Sequence, residues 1–290
     1  MKFWTHLWFL LLFLASGLIL CGIVMFALSP LSANGNMVAY LHLVQWSQNL
    51  FVMMAAPVAW MWVVQVRPSH PKGNGWRATF DALHLTHINY KYAGLTLLFM
   101  LAAIPVMDSL EVFNSRLPWP ESIRRYAEEE SLRNMTVIQT LLSSSGLFGW
   151  IENILLMCVA TAIGEELLFR GALLHSFRRE GGMSIHLAAC LVGLLFALIH
   201  FELFGLIPRW FLGTLFVYLV YWSKSLWTPI LAHCLNNLFA LIAYNLATPE
   251  ELTQVVKDYT FSPIWIVLSA LVSAYLLWQM QRLSPQKANE

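Results

Sequence analysis

The sequence predicts an all-α, polytopic integral membrane protein that forms a bundle of about eight transmembrane helices. Of its 290 residues, 58% are hydrophobic and 11% are charged, whereas soluble globular domains have roughly 25% charged residues. The mean hydropathy is +0.62, and the apolar residues lie in long runs. Aromatic residues make up 14% of the chain, as in proteins that place Trp and Tyr at the two membrane interfaces.

The first element is the uncharged run from Leu7 to Leu28. This run is longer than the apolar region of about 7–15 residues in a signal peptide, and it is long enough to span ~30 Å of hydrocarbon. A lipoprotein signal is also disfavoured, because Leu20 stands where a small residue should precede Cys21. We therefore expect a helix near residues 5–29 that stays in the membrane.

The later elements follow from the rule that ~20 apolar residues span the bilayer. The further predicted helices lie near residues 40–66, 92–110, 150–177, 184–204, 206–223, 226–247 and 261–282. A Pro- and Gly-containing stretch at residues 67–75 predicts a loop after the second helix. The polar stretch at residues 111–145 predicts an amphipathic or surface connecting segment. Because no internal repeat is visible, we expect residues 1–290 to form a single transmembrane domain.

The basic residues of the loops predict that both termini lie in the cytoplasm, because Lys and Arg accumulate on that side. With this orientation the inner segments hold ten basic residues: Lys2, Arg67, Lys72, Arg77, Lys91, Arg178, Arg179, Lys224, Arg282 and Lys287. The outer segments hold five: Arg116, Arg124, Arg125, Arg133 and Lys257.

The net charge and the cysteines argue against a nucleic-acid ligand and against a special role for the thiols. A net charge of +1 argues against nucleic acid as a ligand. The four cysteines lie in apolar runs without CxxC spacing, and we interpret them as packing residues: Cys21, Cys158, Cys190 and Cys234.

Ionisable residues within predicted helices are the strongest sign of function, because each costs about 2.5–3.5 kcal/mol at the bilayer centre on insertion scales. The fourth helix contains Glu165, Glu166 and Arg170. At 100° per residue, Arg170 lies about 40° around the helix from Glu166 and about 140° from Glu165. Arg170 is therefore expected to pair with Glu166, which leaves Glu165 free to accept a proton as a general base. The alternative is that both glutamates only tie helices together through ion pairs.

Two further predicted helices carry polar pairs at a spacing of four residues. Phe196 and His200 end the fifth helix, and His233 and Asn237 lie on one face of the seventh. Taken singly, His200 and Asn237 are more typical of helix pairing. Together with Glu165 they place a base, two imidazoles and an amide on three helices. Asn236 can replace Asn237, since it lies only about 60° from His233.

Two charged neighbours are interpreted as lying outside this set. Glu202 follows His200 by two residues and is expected to face away from it, unless the helix breaks before Gly205. Arg209, beside Pro208, is interpreted as an anchor at the membrane interface.

The three pairs resemble the motifs of the CAAX prenyl protease and bacteriocin-processing family, also called the Abi family of intramembrane proteases. Its motifs EExxxR, FxxxH and HxxxN stand here, in family order, as Glu165–Glu166 to Arg170, Phe196 to His200, and His233 to Asn237. They lie within residues 160–240. The first 145 residues show no motif of the family.

The resemblance implies hydrolysis of peptide bonds within the membrane, with a bacterial cytoplasmic membrane as the expected location. Carried over by residue, Glu165 and His200 would activate water, and His233 and Asn237 would stabilise the oxyanion. Glu166, Arg170 and Phe196 would support them. The expected partners are a peptide or protein substrate, which can be lipid-modified, and membrane lipids.

No cofactor is expected on this interpretation, but two alternatives stay open. Glu165, His200 and His233 are also a sufficient ligand set for catalytic zinc. The same polar residues could serve a non-catalytic immunity or transport protein. One geometric difficulty concerns depth, because counting along ideal helices places Glu165 ~20 Å and His233 ~10 Å from the inner end.

Overall fold

The computed structural model describes residues 2–69, 75–143, 146–246 and 261–284, and these residues form helices and turns without any strand. The predicted all-α membrane fold is therefore confirmed. The helices are α1 (Lys2–Ala33), α2 (Met37–Ser69), α3 (Trp76–Ala82), α4 (Tyr90–Ala102), α5 (Ile104–Ser115), α6 (Glu121–Leu142), α7 (Gly146–Glu180), α8 (Ile185–Leu198), α9 (Leu206–Ser223), α10 (Trp227–Leu246) and α11 (Pro263–Arg282).

The described helices give five or six spans by length and apolarity, where the sequence predicted about eight. Five helices qualify singly: α1, α2, α7, α10 and α11. The helices α4 and α5 meet at 49° and qualify as one broken span. All eight predicted segments are helical, but α8 has only 14 residues, or about 21 Å at 1.5 Å per residue.

Two predicted helix boundaries were wrong for identifiable reasons. The predicted helix 92–110 is broken at Ala103, because Pro105 has no N–H to continue the hydrogen-bond ladder. The predicted helix 184–204 ends at Leu198, and Phe201 then adopts a left-handed conformation with φ of 52°. Residues 70–74 of the predicted loop, 144–145 of the connecting segment and 247 of the seventh predicted helix lie outside the described residues.

The predicted connecting segment 111–145 is largely helical. Its first residues belong to α5, and α6 supplies most of the remainder. The residues of α6 are mostly exposed or half-buried, with Ala127 and Leu141 as its buried positions. The described part of this segment is therefore mostly helix with few buried side chains.

Within the described residues, helix ends that the sequence assigned to the inner side meet at one end of the bundle. His6, near the start of α1, contacts Gln65 at 2.8 Å and Glu180 at 3.6 Å. These contacts join the start of α1 to the ends of α2 and α7. The Tyr92 hydroxyl donates to the Met280 carbonyl at 2.7 Å and joins α4 to the end of α11. We call this end of the bundle, formed by the starts of α1 and α4 and the ends of α2, α7 and α11, the basic end. Its assignment to the cytoplasm stays a prediction.

Helices α8 and α9 pack with their backbones in contact. A Cβ atom built on Gly213 would lie 3.0 Å from the Cα of Gly193, and one built on Gly193 would lie 2.6 Å from the Thr214 nitrogen. Small residues allow this close approach between membrane helices. The approach matters to the site, because α8 carries Phe196 and α9 carries Gly213, both of which contact Arg170.

We expect Gly193→Ala to destabilise the protein by about 1–3 kcal/mol, since the added methyl group meets backbone atoms that cannot rotate away. Thermal unfolding in detergent measures the effect. Gly94→Ala is the matched control, because a Cβ at Gly94 meets no atom within 4 Å. Equal melting temperatures for the two variants would contradict the close packing of α8 on α9.

Candidate active site

The innermost part of the site is a buried ion pair on α7. The Arg170 guanidinium donates to Glu166 Oε1 at 2.8 Å and to the Gly213 carbonyl at 2.8 Å. Both side chains of the pair are 0% exposed. The guanidinium also lies 4.6 Å from the ring centroid of Phe196. The pairing of Arg170 with Glu166 that the helical spacing predicted is confirmed, and it ties α7 to α8 and α9.

The sequence around this pair holds α7 close to its neighbours. A Cβ on Gly164 would lie 2.7 Å from Met53 Cβ of α2, and one on Gly171 would lie 2.8 Å from Leu83 Cδ2. Directly after Glu166 the helix widens into a π-helical stretch, Leu167–Leu173. Such bulges are frequent at functional sites because they turn side chains out of the regular α-helical register.

The same oxygen of Glu166 that accepts from Arg170 also holds His233 of α10. Its Nδ1 lies 2.9 Å from Glu166 Oε1, and because a carboxylate only accepts, Nδ1 carries the hydrogen. The ring is packed between those of Phe196 and Phe216, with centroids 5.6 Å and 5.8 Å away. Its Nε2 therefore points away from Glu166, and it lies 3.7 Å from Glu165 Oε2.

His200 approaches the same carboxylate from the end of α8. Its Nδ1 lies 2.7 Å from the Phe196 carbonyl, which can only accept, so Nδ1 is again the donor. Its Nε2 lies 4.0 Å from Glu165 Oε2. The His200 side chain is 27% exposed, compared with 5% for His233 and 11% for Glu165. His200 is thus the most accessible of the three.

The structure brings Glu165, His200 and His233 to one place, despite the difference in depth expected from ideal helices. Among the described residues, Glu165 Oε2 has no hydrogen-bond partner. Two atoms that share one water are about 4.6 Å apart at tetrahedral geometry, and two ligands of one zinc ion are about 3.3 Å apart. The observed 3.7 Å and 4.0 Å lie between these values.

Asn237 lies one helical turn from His233 but is bonded elsewhere. Its Nδ2 donates to the Met157 carbonyl of α7 at 3.0 Å. No hydrogen bond joins it to Glu165, His200 or His233 in the part of the chain that the structure describes. Since an amide nitrogen has two hydrogens, one remains for a further acceptor.

Two polar residues near the site have contacts that the sequence analysis did not predict. Asn49 of α2 is 2% exposed and donates to Thr161 Oγ1 at 3.1 Å, which joins α2 to the turn of α7 before Glu165. Its place in an apolar run could have identified it. Arg209, which was interpreted as an anchor at the membrane interface, pairs through its guanidinium with Glu202. That pair depends on the turn after Leu198, which was not predicted.

Within the described ranges, no group of three His, Cys, Asp or Glu side chains is placed as the ligands of a metal ion. The two histidines nevertheless have the hydrogen bonds that metal-binding histidines use, since each donates Nδ1–H to a carboxylate or carbonyl and turns Nε2 inward.

The fold and the site define an integral membrane protein with one carboxylate and two imidazoles gathered between its helices. Residues 147–239 match the family model described as type II CAAX prenyl endopeptidase Rce1-like. This stretch contains every residue of the three motifs. The match supports the resemblance to the CAAX prenyl protease and bacteriocin-processing family that the motifs carry.

One curated relative is the membrane-embedded CAAX protease MroQ of Staphylococcus aureus (strain USA300), which is 32% identical over 102 residues. The aligned part is 33% of this chain and spans 40% of that relative's length. No solved structure matches the chain.

Removing Arg170 should be more damaging than removing the whole ion pair. We expect Arg170→Met to cost about 3–5 kcal/mol, because it leaves the Glu166 carboxylate buried without a cation. The double variant Glu166→Gln/Arg170→Met removes that charge and should unfold at a higher temperature than Arg170→Met alone. A double variant that unfolds at the same temperature or lower would contradict a buried, charge-compensated pair.

Proposed function

We propose that the chain is an intramembrane endopeptidase that hydrolyses a peptide bond of a membrane-associated or hydrophobic peptide or protein. The observation that carries the proposal is the position of Glu165 Oε2, which faces the Nε2 atoms of both His200 and His233. The family match and the similarity to a membrane-embedded CAAX protease support a peptidase.

In this proposal Glu165 and His200 hold and activate the attacking water. One O–H of the water donates to Glu165 Oε2 and the other to the free Nε2 of His200, whose hydrogen is on Nδ1. Glu165 removes a proton while the water oxygen bonds to the carbonyl carbon of the substrate. When the C–N bond breaks, the proton on Glu165 passes to the leaving amine, which restores the carboxylate.

His233 and the free N–H of Asn237 are the proposed donors to the oxyanion of the tetrahedral intermediate. For this role His233 carries a proton on Nε2 as well as the one on Nδ1 that Glu166 accepts. The buried set of Glu165, Glu166, Arg170 and His233 then has two negative and two positive charges. Charge balance of this kind allows ionised groups to persist away from water.

The exposure of the site supports substrate entry from the side of α8. His200 is the most exposed of the three central residues, and its neighbours Ile199 and Phe201 are 40% and 75% exposed. A hydrophobic or lipid-modified segment could lie along these apolar side chains with its peptide bond at His200. Both prenylated and unmodified substrates fit this description.

A zinc-dependent form of the same reaction is the second candidate, and the histidine hydrogen bonds favour it. Zinc held by Glu165, His200 and His233 would supply a bound water of lowered pKa. We favour the metal-free form, because the 4.0 Å between Glu165 Oε2 and His200 Nε2 is nearer to the ~4.6 Å between two atoms that share a water than to the ~3.3 Å between ligands of one zinc ion.

Glu165→Gln should lower the cleavage rate by about 100- to 10,000-fold, the usual contribution of a general base. Peptide profiling of membranes from cells with the wild-type chain or this variant identifies peptides that accumulate uncleaved, and these serve as substrates for the purified proteins. Glu152→Gln is the control, because Glu152 lies on the same helix but contacts His42 at 3.2 Å. Cleavage by Glu165→Gln at the wild-type rate would overturn the proposed role.

The two mechanisms differ in their need for metal. In the metal-free form, purified active protein contains far less than one zinc ion per chain, and its activity survives a strong chelator. Elemental analysis and cleavage assays on the same sample test this. Stoichiometric zinc, with activity lost on chelation and regained on adding zinc, would establish the alternative.

A further inference from the structure

An open cavity with two lysines in its lining lies at the basic end, outside the proposed catalytic site. It has a volume of about 530 Å³ and is lined by residues 87–91, Ser223 and Lys224. The lining comes from the two connections α3–α4 and α9–α10. The proposed chemistry uses neither lysine in this cavity, Lys91 or Lys224.

Hydrogen bonds between the two connections hold the walls of the cavity. The Leu226 nitrogen donates to the His84 carbonyl at 2.9 Å, and the Trp227 indole donates to the Leu85 carbonyl at 2.8 Å. The Ser225 hydroxyl donates to the His87 carbonyl. These hydrogen bonds join the two connections that supply the cavity lining.

The charge in and around the cavity is positive, and the Lys224 ammonium lies 4.9 Å from the ring centroid of Tyr221. In the described part of the chain, neither Lys91 nor Lys224 forms an ion pair with a carboxylate. Burial, and then the nearby charge of Arg178, lowers the pKa of Lys224 from its ordinary value. Burial, and then the charge of Lys224, likewise lowers the pKa of His84. An anion in the cavity would relieve this repulsion.

The exposed side chains around the cavity are of the types found at a membrane interface. Tyr90 and Ile88, both in the lining, are 80% and 53% exposed. Trp227 exposes its ring and uses its indole N–H for the Leu85 carbonyl. Aromatic side chains of this kind lie at headgroup depth, and basic pockets at the ends of membrane helices bind anionic headgroups.

We propose that this cavity binds the phosphate headgroup of an anionic phospholipid through Lys91 and Lys224. The apolar exposed side chains beside it would contact the acyl chains. The site is independent of the proposed protease activity, although it adjoins the start of α10, the helix that carries His233 six residues later. Bound lipid would join the α3–α4 and α9–α10 connections.

The test uses the purified full chain in neutral detergent with dioctanoyl phosphatidylglycerol, dioctanoyl phosphatidylcholine or inorganic phosphate as the added probe. Phosphatidylglycerol should raise the melting temperature more than the other two. Lys91→Gln/Lys224→Gln should weaken its apparent affinity about 30-fold, at ~1 kcal/mol for each basic residue near an anionic headgroup. Lys91→Arg/Lys224→Arg should retain the shift, because it keeps both charges.

Arg77→Gln is the matched control, because Arg77 is an exposed basic residue of α3 outside the cavity lining. It should respond to phosphatidylglycerol like the wild type. The proposal fails if phosphatidylcholine gives the same shift, if inorganic phosphate alone reproduces it, or if the double glutamine variant responds normally. Melting temperatures measured without lipid show separately whether each variant is folded.

Discussion

The Glu166 carboxylate is the group on which the geometry of the site depends. Its Oε1 accepts from both Arg170 and His233, and Arg170 in turn donates to the Gly213 carbonyl. These three hydrogen bonds join α7, α9 and α10 at a depth where water cannot replace a lost partner. They also fix His233 with Nε2 toward Glu165. The adjacent glutamates therefore have different environments: Glu166 Oε1 accepts from both Arg170 and His233, whereas Glu165 Oε2, without a hydrogen-bond partner among the described residues, faces two imidazoles.

The aromatic and small residues around this group explain why the arrangement is stable. The ring of Phe196 contacts Arg170, His200 and His233, while its carbonyl orients His200. This ring position requires α8 and α9 to be close, and Gly193 allows it. The sequence pattern FxxxH thus contributes both a ring, which packs against His200, and a backbone acceptor, which orients the His200 imidazole.

Much of the fold and of the site was predictable because membrane insertion limits what an apolar sequence can do. Long apolar runs gave all eight helical segments, and the 100° repeat gave the pairing of Arg170 with Glu166. The break at Pro105 was visible but was overlooked. Other features depend on tertiary contacts: the turn after Leu198, the pairing of Arg209 with Glu202, and the π-helical stretches of α7 that change its register. Ideal-helix counting therefore misjudged the depth of His233 relative to Glu165.

The most direct test of this account is an experimental structure of the wild-type chain in a lipid environment, at a resolution that shows ordered water. The account predicts that Glu165 Oε2 faces the Nε2 atoms of His200 and His233 at separations that one water molecule can bridge, with both Nδ1 atoms bonded to Phe196 and Glu166. It would be contradicted if either imidazole turned away from Glu165, or if Arg170 paired with Glu165 and left Glu166 facing the histidines.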